Sequence, residues 1–300
     1  MNYIDFEQEN QFYVAMVQED GTVKYQKYHA EHIIAGDTDS GYFKLPDAFN
    51  ELTNEETVEI CDEICDITNK SFDDFCQNVF NMPASRNGSI AADREAVSDK
   101  SLFLTKKRYI MHVINMEGEW VDELKIKGVE IIKSDTSPIV KKMLMELVNM
   151  ILDDKNRDQV KARIKTMKEE FYNAPITQIS SPASCKTLLK AQRQLEETGT
   201  LKGCHYSARA AIFYNSMCSD RDTIIRAGDK VGIVYIRNPK SKYVAYPIDA
   251  QELPDWLDDL IIDYDAEWEK ADKKLNNYLT SMGWDITSLN KNLKKELFGF

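Results

Sequence analysis

The chain has 300 residues, of which 43% are hydrophobic, and a formal net charge of -12 at pH 7. This hydrophobic content excludes a chain that is disordered throughout, and it suffices for one large domain or two moderate ones. The sequence lacks a secretory signal and an apolar run of about 18 residues, the length that a membrane span needs. We therefore expect a cytoplasmic protein without a membrane-spanning segment.

The acidic residues are unevenly distributed. Residues 51–80 carry nine acids and one base, and residues 251–272 carry the same numbers. Outside these two segments bases outnumber acids, so the acidic total is compatible with a local phosphate-binding surface. The six cysteines include no C-x-x-C pair, which predicts reduced, mostly buried thiols. Cys61 and Cys65 are one helical turn apart and could together bind a metal ion. A position in the hydrophobic core is favoured for them, because no second pair of His or Cys ligands is near.

The N-terminal part of the chain is rich in predicted strands. Residues 11–29 predict a hairpin around Asp20-Gly21, a pair that suits a type I′ turn. Residues 32–45 predict two more strands joined by an acidic turn. A capping box at Thr53 begins a helix, and a second helix is expected to end before Pro83. Three further strands are predicted within residues 89–97, 101–105 and 107–114.

Helices dominate after residue 122, where we place a domain boundary. Ser137-Pro138 begins a long helix, because proline suits the first helical position. Its predicted buried stripe is Ile139, Met143, Leu144, Leu147, Val148 and Ile151. The buried stripe of the next helix is Val160, Ile164, Met167 and Phe171. Residues 185–217 are again helical, and residues 228–236 and 243–247 predict two strands of a small sheet. The whole pattern predicts an α+β fold.

The acidic turn contains Asp37 and Asp39. Strand side chains alternate between faces, so these two carboxylates are expected on one side of the hairpin. Two carboxylates that close together repel each other unless a cation lies between them. Mg²⁺ prefers such oxygen ligands and serves polymerases, kinases and phosphatases. An ordinary solvated turn is the alternative interpretation.

In this order the motifs resemble the C-terminal portion of family B replicative DNA polymerases, most closely those of T-even-like phages, over about residues 32–300. Asp37-Thr38-Asp39-Ser40 resembles the third polymerase motif of the palm. Lys106-Lys107-Arg108-Tyr109 resembles the basic-aromatic palm motif, and Leu124-Lys125-Ile126-Lys127-Gly128 a segment with a second minor-groove lysine. The stretch from Arg209 to Asn215 resembles part of the thumb. Leu297-Phe298-Gly299-Phe300 is similar to the terminal peptide that docks on a sliding clamp.

The resemblance implies roles for these residues. Asp39 would bind both catalytic Mg²⁺ ions, with Asp37 shaping the electrostatics of the same metal site. The implied DNA-binding residues are Lys106, Lys107, Arg108, Tyr109, Lys125, Lys127, Arg209, Tyr214 and Asn215. The implied clamp-binding residues are Leu297, Phe298 and Phe300. The domains would be an N-terminal hairpin extension without an assigned role (1–31), a partial palm sheet with flanking helices (32–121), a mainly helical thumb with a small sheet (122–290) and the tail (291–300).

The sequence also departs from the family pattern. Ala35 stands where the family usually has a tyrosine. Asp93 and Glu95 resemble an acidic strand near the family's active centre, but structural salt bridging is favoured for them. The 36 residues before Asp37 cannot hold another palm aspartate, a fingers helix and an exonuclease domain. We therefore expect one half of a split polymerase, whose N-terminal partner chain carries those parts and shares the two Mg²⁺ ions.

The other expected partners are primer-template DNA, deoxynucleoside triphosphates and a sliding clamp, with no membrane. One alternative is a non-catalytic remnant that binds DNA and tethers it to the clamp. Another is a magnesium-dependent phosphotransferase or glycosyltransferase that uses the Asp-x-Asp turn. The last explains neither the basic motif nor the tail.

Overall fold

The computed structural model describes residues 11–17, 23–29, 32–37 and 40–284, and it describes the side chains of residue 32 onward except that of Asp37. The fold is α+β, as predicted. The chain forms two compact units. The N-terminal unit contains residues 1–101 and 110–125, and the C-terminal unit contains residues 102–109 and 126–300.

Two antiparallel hairpins open the N-terminal unit. β1 (Gln11–Val17) pairs with β2 (Val23–His29) so that Val17 lies opposite Val23. β3 (Ile33–Asp37) pairs with β4 (Ser40–Phe43), with Asp37 opposite Ser40. Both predicted hairpins are confirmed, although the Asp20-Gly21 turn lies outside the described residues.

The helix that follows is continuous, so the prediction of two separate helices here is wrong. α1 spans Asn54–Phe80 and begins with the predicted capping box, in which Thr53 accepts a hydrogen bond from the Glu56 amide. No glycine or proline interrupts residues 54–80, so no local feature ends the helix between its two apolar stretches. The helix ends at Asn81, whose φ of 50° is left-handed.

A three-stranded sheet follows in the order β5-β6-β7, with β5 at Ala96–Thr105, β6 at Arg108–Met116 and β7 at Glu119–Lys127. The predicted strand over residues 89–97 is largely wrong, because residues 89–95 are irregular. Instead of strand pairing, the backbone of Ala92 forms two hydrogen bonds with the side chain of Asn69 on α1. Asn69 donates to the Ala92 oxygen at 3.0 Å and accepts from the Ala92 nitrogen at 2.7 Å. β7 was not predicted. The expected domain boundary near residue 122 lies within β7, and one of the three divisions between the two compact units falls between Lys125 and Ile126.

The core of the N-terminal unit includes Cys61 of α1, Val97 of β5 and Ile114 of β6, with Leu45 and Val58 packed against them. Position 61 is thus an apolar core position, as favoured from sequence. The six cysteines are free thiols, and three of them are buried: Cys61, Cys76 and Cys185.

The C-terminal unit is mainly helical. Its helices are α2 (Pro138–Leu152), α3 (Arg157–Tyr172), α4 (Ile176–Ile179), α5 (Leu188–Thr198), α6 (Tyr206–Met217) and α7 (Tyr264–Ser281). The predicted stripe of α3 is buried in full, and that of α2 is correct except that Val140 is buried in place of Ile139. α7 was not predicted. It packs Trp268 against Phe171 of α3 at 5.4 Å between ring centroids.

A small antiparallel sheet completes the C-terminal unit, in the order β10-β9-β8. β8 is Ser181–Ser184, β9 is Lys230–Tyr235 and β10 is Tyr243–Pro247. The two predicted strands are confirmed, and β8 is an addition. Among the helices of the described ranges, none combines the length and the apolar character that crossing a membrane requires.

Candidate nucleic-acid interface

Lys106 and Lys107 form the two-residue connection from β5 to β6, and both side chains are exposed. We call these two residues the basic turn. Lys107 has a φ of 62°, a left-handed conformation that costs a lysine roughly 1 kcal/mol or more. Such a conformation persists only where the surrounding structure holds it. The sequence predicted Lys107 in a strand, but the tight connection requires it in the turn.

Gly128 holds this turn by direct backbone contact. Its φ is 68°, and a Cβ atom at this position would lie 2.3 Å from the carbonyl oxygen of Lys107. Only glycine tolerates both the conformation and the close approach. The exposed Lys127 immediately precedes Gly128. Two basic segments that are about 20 residues apart in the chain therefore meet in the C-terminal unit.

Arg108 is anchored by a buried carboxylate. Its Nη2 atom donates to both carboxylate oxygens of Glu130, a residue that is only 8% exposed. Lys133 Nζ adds a weaker contact, 3.4 Å from the same carboxylate. A buried carboxylate is costly unless it is paired, so this ion pair fixes the guanidinium and the start of β6. Sequence reasoning missed Glu130, because its pairing with Arg108 spans 22 positions and no local pattern marks it.

Tyr109 lies below the basic turn rather than at the surface. Its side chain is 4% exposed, and its ring centroid is 5.4 Å from that of Phe103 on β5. The ring thus packs the end of the β5-β6 hairpin. Among the residues of the predicted basic-aromatic motif, the structure exposes the two lysines and buries the tyrosine.

Lys125 belongs to the N-terminal unit, where its Nζ is bonded to the carboxylate of Glu95. The neighbouring Arg94 bonds Asp62 of α1 and donates to Asn115 Oδ1 at 2.8 Å. Glu95 therefore takes part in salt bridging, as favoured from sequence. Asp93 is exposed.

The three predicted residues of α6 have different surroundings. Arg209 is exposed, with its guanidinium 5.8 Å from the ring centroid of Tyr243. Tyr214 is fully buried against Trp256, and this burial raises the pKa of its hydroxyl. Asn215 donates to the oxygen and accepts from the nitrogen of Ile225, both at 2.8 Å. Arg209 is thus the member of this trio that faces solvent.

The acidic turn of the β3-β4 hairpin is described only in part. The pairing of β3 and β4 extends to Asp37 and Ser40, but the side chain of Asp37 and the whole of Asp39 lie outside the described residues. The clamp-binding residues Leu297, Phe298 and Phe300 also lie outside them. Within the part of the chain that the structure describes, no three His, Cys, Asp or Glu residues gather as a metal ion would require.

The chain belongs to DNA polymerase family B, whose sequence profile matches residues 2–282. The catalytic subunit of DNA polymerase alpha from Mus musculus is 24% identical to it over 244 residues, which are 79% of this chain and 15% of the relative. The chain thus spans a small part of the length of the curated relative that it matches.

Proposed function

We propose that this chain is the C-terminal subunit of a split, phage-type replicative DNA polymerase, and that it supplies part of the palm and the thumb. The observation that carries the proposal is the contact of Gly128 with the carbonyl of Lys107, which joins the two basic segments of a family B chain. Palm and thumb boundaries at residues 32, 122 and 290 belong to the same proposal.

The basic turn and Lys127 would hold the primer-template duplex. Lysines that contact phosphates and minor-groove acceptors bind any sequence, as a polymerase must. Arg108 and Tyr109 would stabilise the conformation of the basic turn. Arg108 is anchored by Glu130, and Tyr109 packs on Phe103. Lys125 and Arg209 complete the proposed DNA-binding set, whereas the buried Tyr214 and the backbone-bonded Asn215 would serve it by holding α6 in place.

Asp37 and Asp39 would hold two Mg²⁺ ions together with an aspartate of the partner chain. The donor set suits the ion, because both residues offer the carboxylate oxygens that a hard cation prefers. When bound, such ions supply electrostatic stabilisation of the attacking and leaving oxygens in phosphoryl transfer. The reaction joins the primer 3′ oxygen to the α-phosphorus of a deoxynucleoside triphosphate as the bond to pyrophosphate breaks. The part of this chain is to align the primer end.

A separate polypeptide would supply the exonuclease, the fingers and the first palm aspartate. α1 offers a surface for it, because several large apolar side chains on this helix are at least 46% exposed. They are Ile67, Phe75, Val79 and Phe80. Apolar patches of this kind mark interfaces that bury a large area. The tail, with Leu297, Phe298 and Phe300, would dock on a sliding clamp in the host cytoplasm.

The test is primer extension by the chain co-expressed with its partner polypeptide. Asp39→Ala should abolish nucleotide incorporation while it leaves duplex binding within about twofold, since the carboxylate serves the reaction and not the grip. Asp259→Ala, which removes an exposed acid of the C-terminal unit, is the matched control and should extend normally.

Retained extension by Asp39→Ala would refute the catalytic assignment. Duplex binding without any extension by the wild-type pair would instead support the non-catalytic, clamp-tethering alternative.

A further inference from the structure

The C-terminal unit contains a cavity of about 670 Å³ whose lining combines apolar residues with four cations and includes no acidic residue. Its walls are one face of α6 from Arg209 to Ser216, the loop between α5 and α6 with the end of α5, and the loop between β9 and β10 with the start of β10. The cations are Lys202, Arg209, Lys240 and Lys242. The chain as a whole is acidic, so its composition does not explain a cavity whose charged residues are all positive.

These four cations have no carboxylate partner among the described residues. The neighbouring Arg237 differs, because Asp263 and Asp265 neutralise it. Like charges gathered in a cavity repel one another, and a bound anion relieves that repulsion. The cavity is therefore suited to a group with several negative charges.

Side-chain hydrogen bonds to the backbone hold both loops in place. Gln194 of α5 donates to the carbonyl of Lys202 at 2.9 Å and to that of Thr200 at 3.3 Å. Asn238 accepts from the amide of Lys240 at 2.9 Å, and Ser241 donates to the carbonyl of Tyr243 at 2.7 Å. Preformed loops lower the entropic cost of binding.

The size and the aromatic wall of the cavity restrict the ligand. Its volume lies within the range of small-ligand sites, about 300–1,000 Å³. Tyr243 forms part of the wall, and the exposed Tyr206 lies beside it with 5.8 Å between ring centroids. Cations beside aromatic rings are typical of sites that bind a single nucleic-acid strand.

We propose that this cavity binds consecutive phosphates of a single nucleic-acid strand, separately from the duplex grip at the basic turn. The inference rests on the proposed function in one respect, namely that the bound strand is part of the polymerase substrate. The same phosphate chemistry is present in a free polyphosphate, and the two sources can be told apart by experiment.

The experiment measures fluorescence anisotropy of a labelled single-stranded oligothymidylate and of a blunt duplex with the full-length chain at several salt concentrations. Lys240→Gln combined with Lys242→Gln should weaken single-strand binding roughly tenfold or more, because two charge-assisted hydrogen bonds are lost. The slope of log K against log salt should shrink by about 0.7 for each cation that contacts a phosphate. Lys202→Gln tests the opposite wall.

The matched control is Lys161→Gln combined with Lys165→Gln, which removes the same charge from two exposed positions of α3. It should leave single-strand binding within about twofold. Duplex binding should not change when Lys240→Gln and Lys242→Gln remove two cavity cations. Lys106→Gln with Lys107→Gln should reduce it. Equal effects of the cavity and α3 variants on the single strand would overturn the proposal.

Inorganic tripolyphosphate is the competitor that separates the two sources. If tripolyphosphate displaces the oligonucleotide only at concentrations high enough to raise the ionic strength, the result supports a nucleic-acid strand as the ligand. Tight binding of tripolyphosphate with no binding of the oligonucleotide overturns the assignment to a strand and identifies a free polyphosphate site. These readouts need neither the partner chain nor primer extension, so failure of the Asp39 test leaves them unaffected.

Discussion

Gly128 shows how a single residue without a side chain can determine the geometry of a basic surface. It combines a φ of 68° with an approach to the Lys107 carbonyl that leaves only 2.3 Å for a Cβ atom. Gly128→Ala should therefore lower the free energy of unfolding by about 3 kcal/mol, through backbone strain together with displacement of the basic turn. Urea denaturation measures the first effect, and duplex binding measures the second.

Gly199 offers a matched control, because it has the same φ of 68° and no heavy atom within 4 Å of an added Cβ. Gly199→Ala should cost about 1 kcal/mol, the strain alone, and leave duplex binding unchanged. Equal costs for the two alanine variants would show that the contact between Gly128 and Lys107 contributes nothing.

At the scale of elements, one histidine links the three strands of the β5-β6-β7 sheet. His112 Nδ1 lies 2.6 Å from Asp99 Oδ1, and His112 Nε2 lies 2.7 Å from Asp122 Oδ1. Both ring nitrogens donate to carboxylates only in the protonated form. These hydrogen bonds, first that to Asp122 and then that to Asp99, raise the pKa of His112 above its ordinary value of 6.5.

This raised pKa predicts a pH-dependent contribution to stability. A group whose pKa is higher in the folded state stabilises fully below its unfolded pKa, and this stabilisation is lost as the pH rises through the folded pKa. The difference in urea midpoint between wild type and His112→Gln should thus be largest below pH 6.5, the ordinary pKa, and shrink as the pH rises above it. Asp122→Asn should reduce this dependence more than Asp99→Asn. A difference that stays constant as the pH rises would contradict the role of the charged imidazole.

At the scale of the whole molecule, an acidic chain is proposed to bind an acidic polymer. The formal net charge is -12, and long-range repulsion of DNA must be offset by local contacts. Lys106→Gln combined with Lys107→Gln should reduce the slope of log K for duplex DNA against log salt by about 1.8, which is 0.9 for each phosphate contact.

Lys161→Gln with Lys165→Gln changes the net charge by the same amount on α3 and should leave that slope nearly unchanged. If both pairs reduced the slope alike, binding would depend on total charge and not on the basic turn. A salt titration with both variants decides between these two causes.

Much of the local structure was predictable because it is encoded by neighbouring residues. The buried stripe of α3 follows from helical spacing, and the start of α1 follows from the capping box at Thr53. The extent of α1 was not predictable in this way, because its two apolar stretches resemble two helices. α7 was missed since its many acids conceal the buried face that includes Trp268 and Leu275.

The sequence by itself determined the α+β character, the hairpins and the order of the motifs that identify the family, because short-range periodicity and turn chemistry specify these features. Only the tertiary structure showed that Gly128 meets Lys107, that Glu130 anchors Arg108 and that four cations from distant segments share one cavity. Each of these depends on contacts between residues far apart in the chain. Such contacts form only when packing brings the segments together, and no local pattern records them.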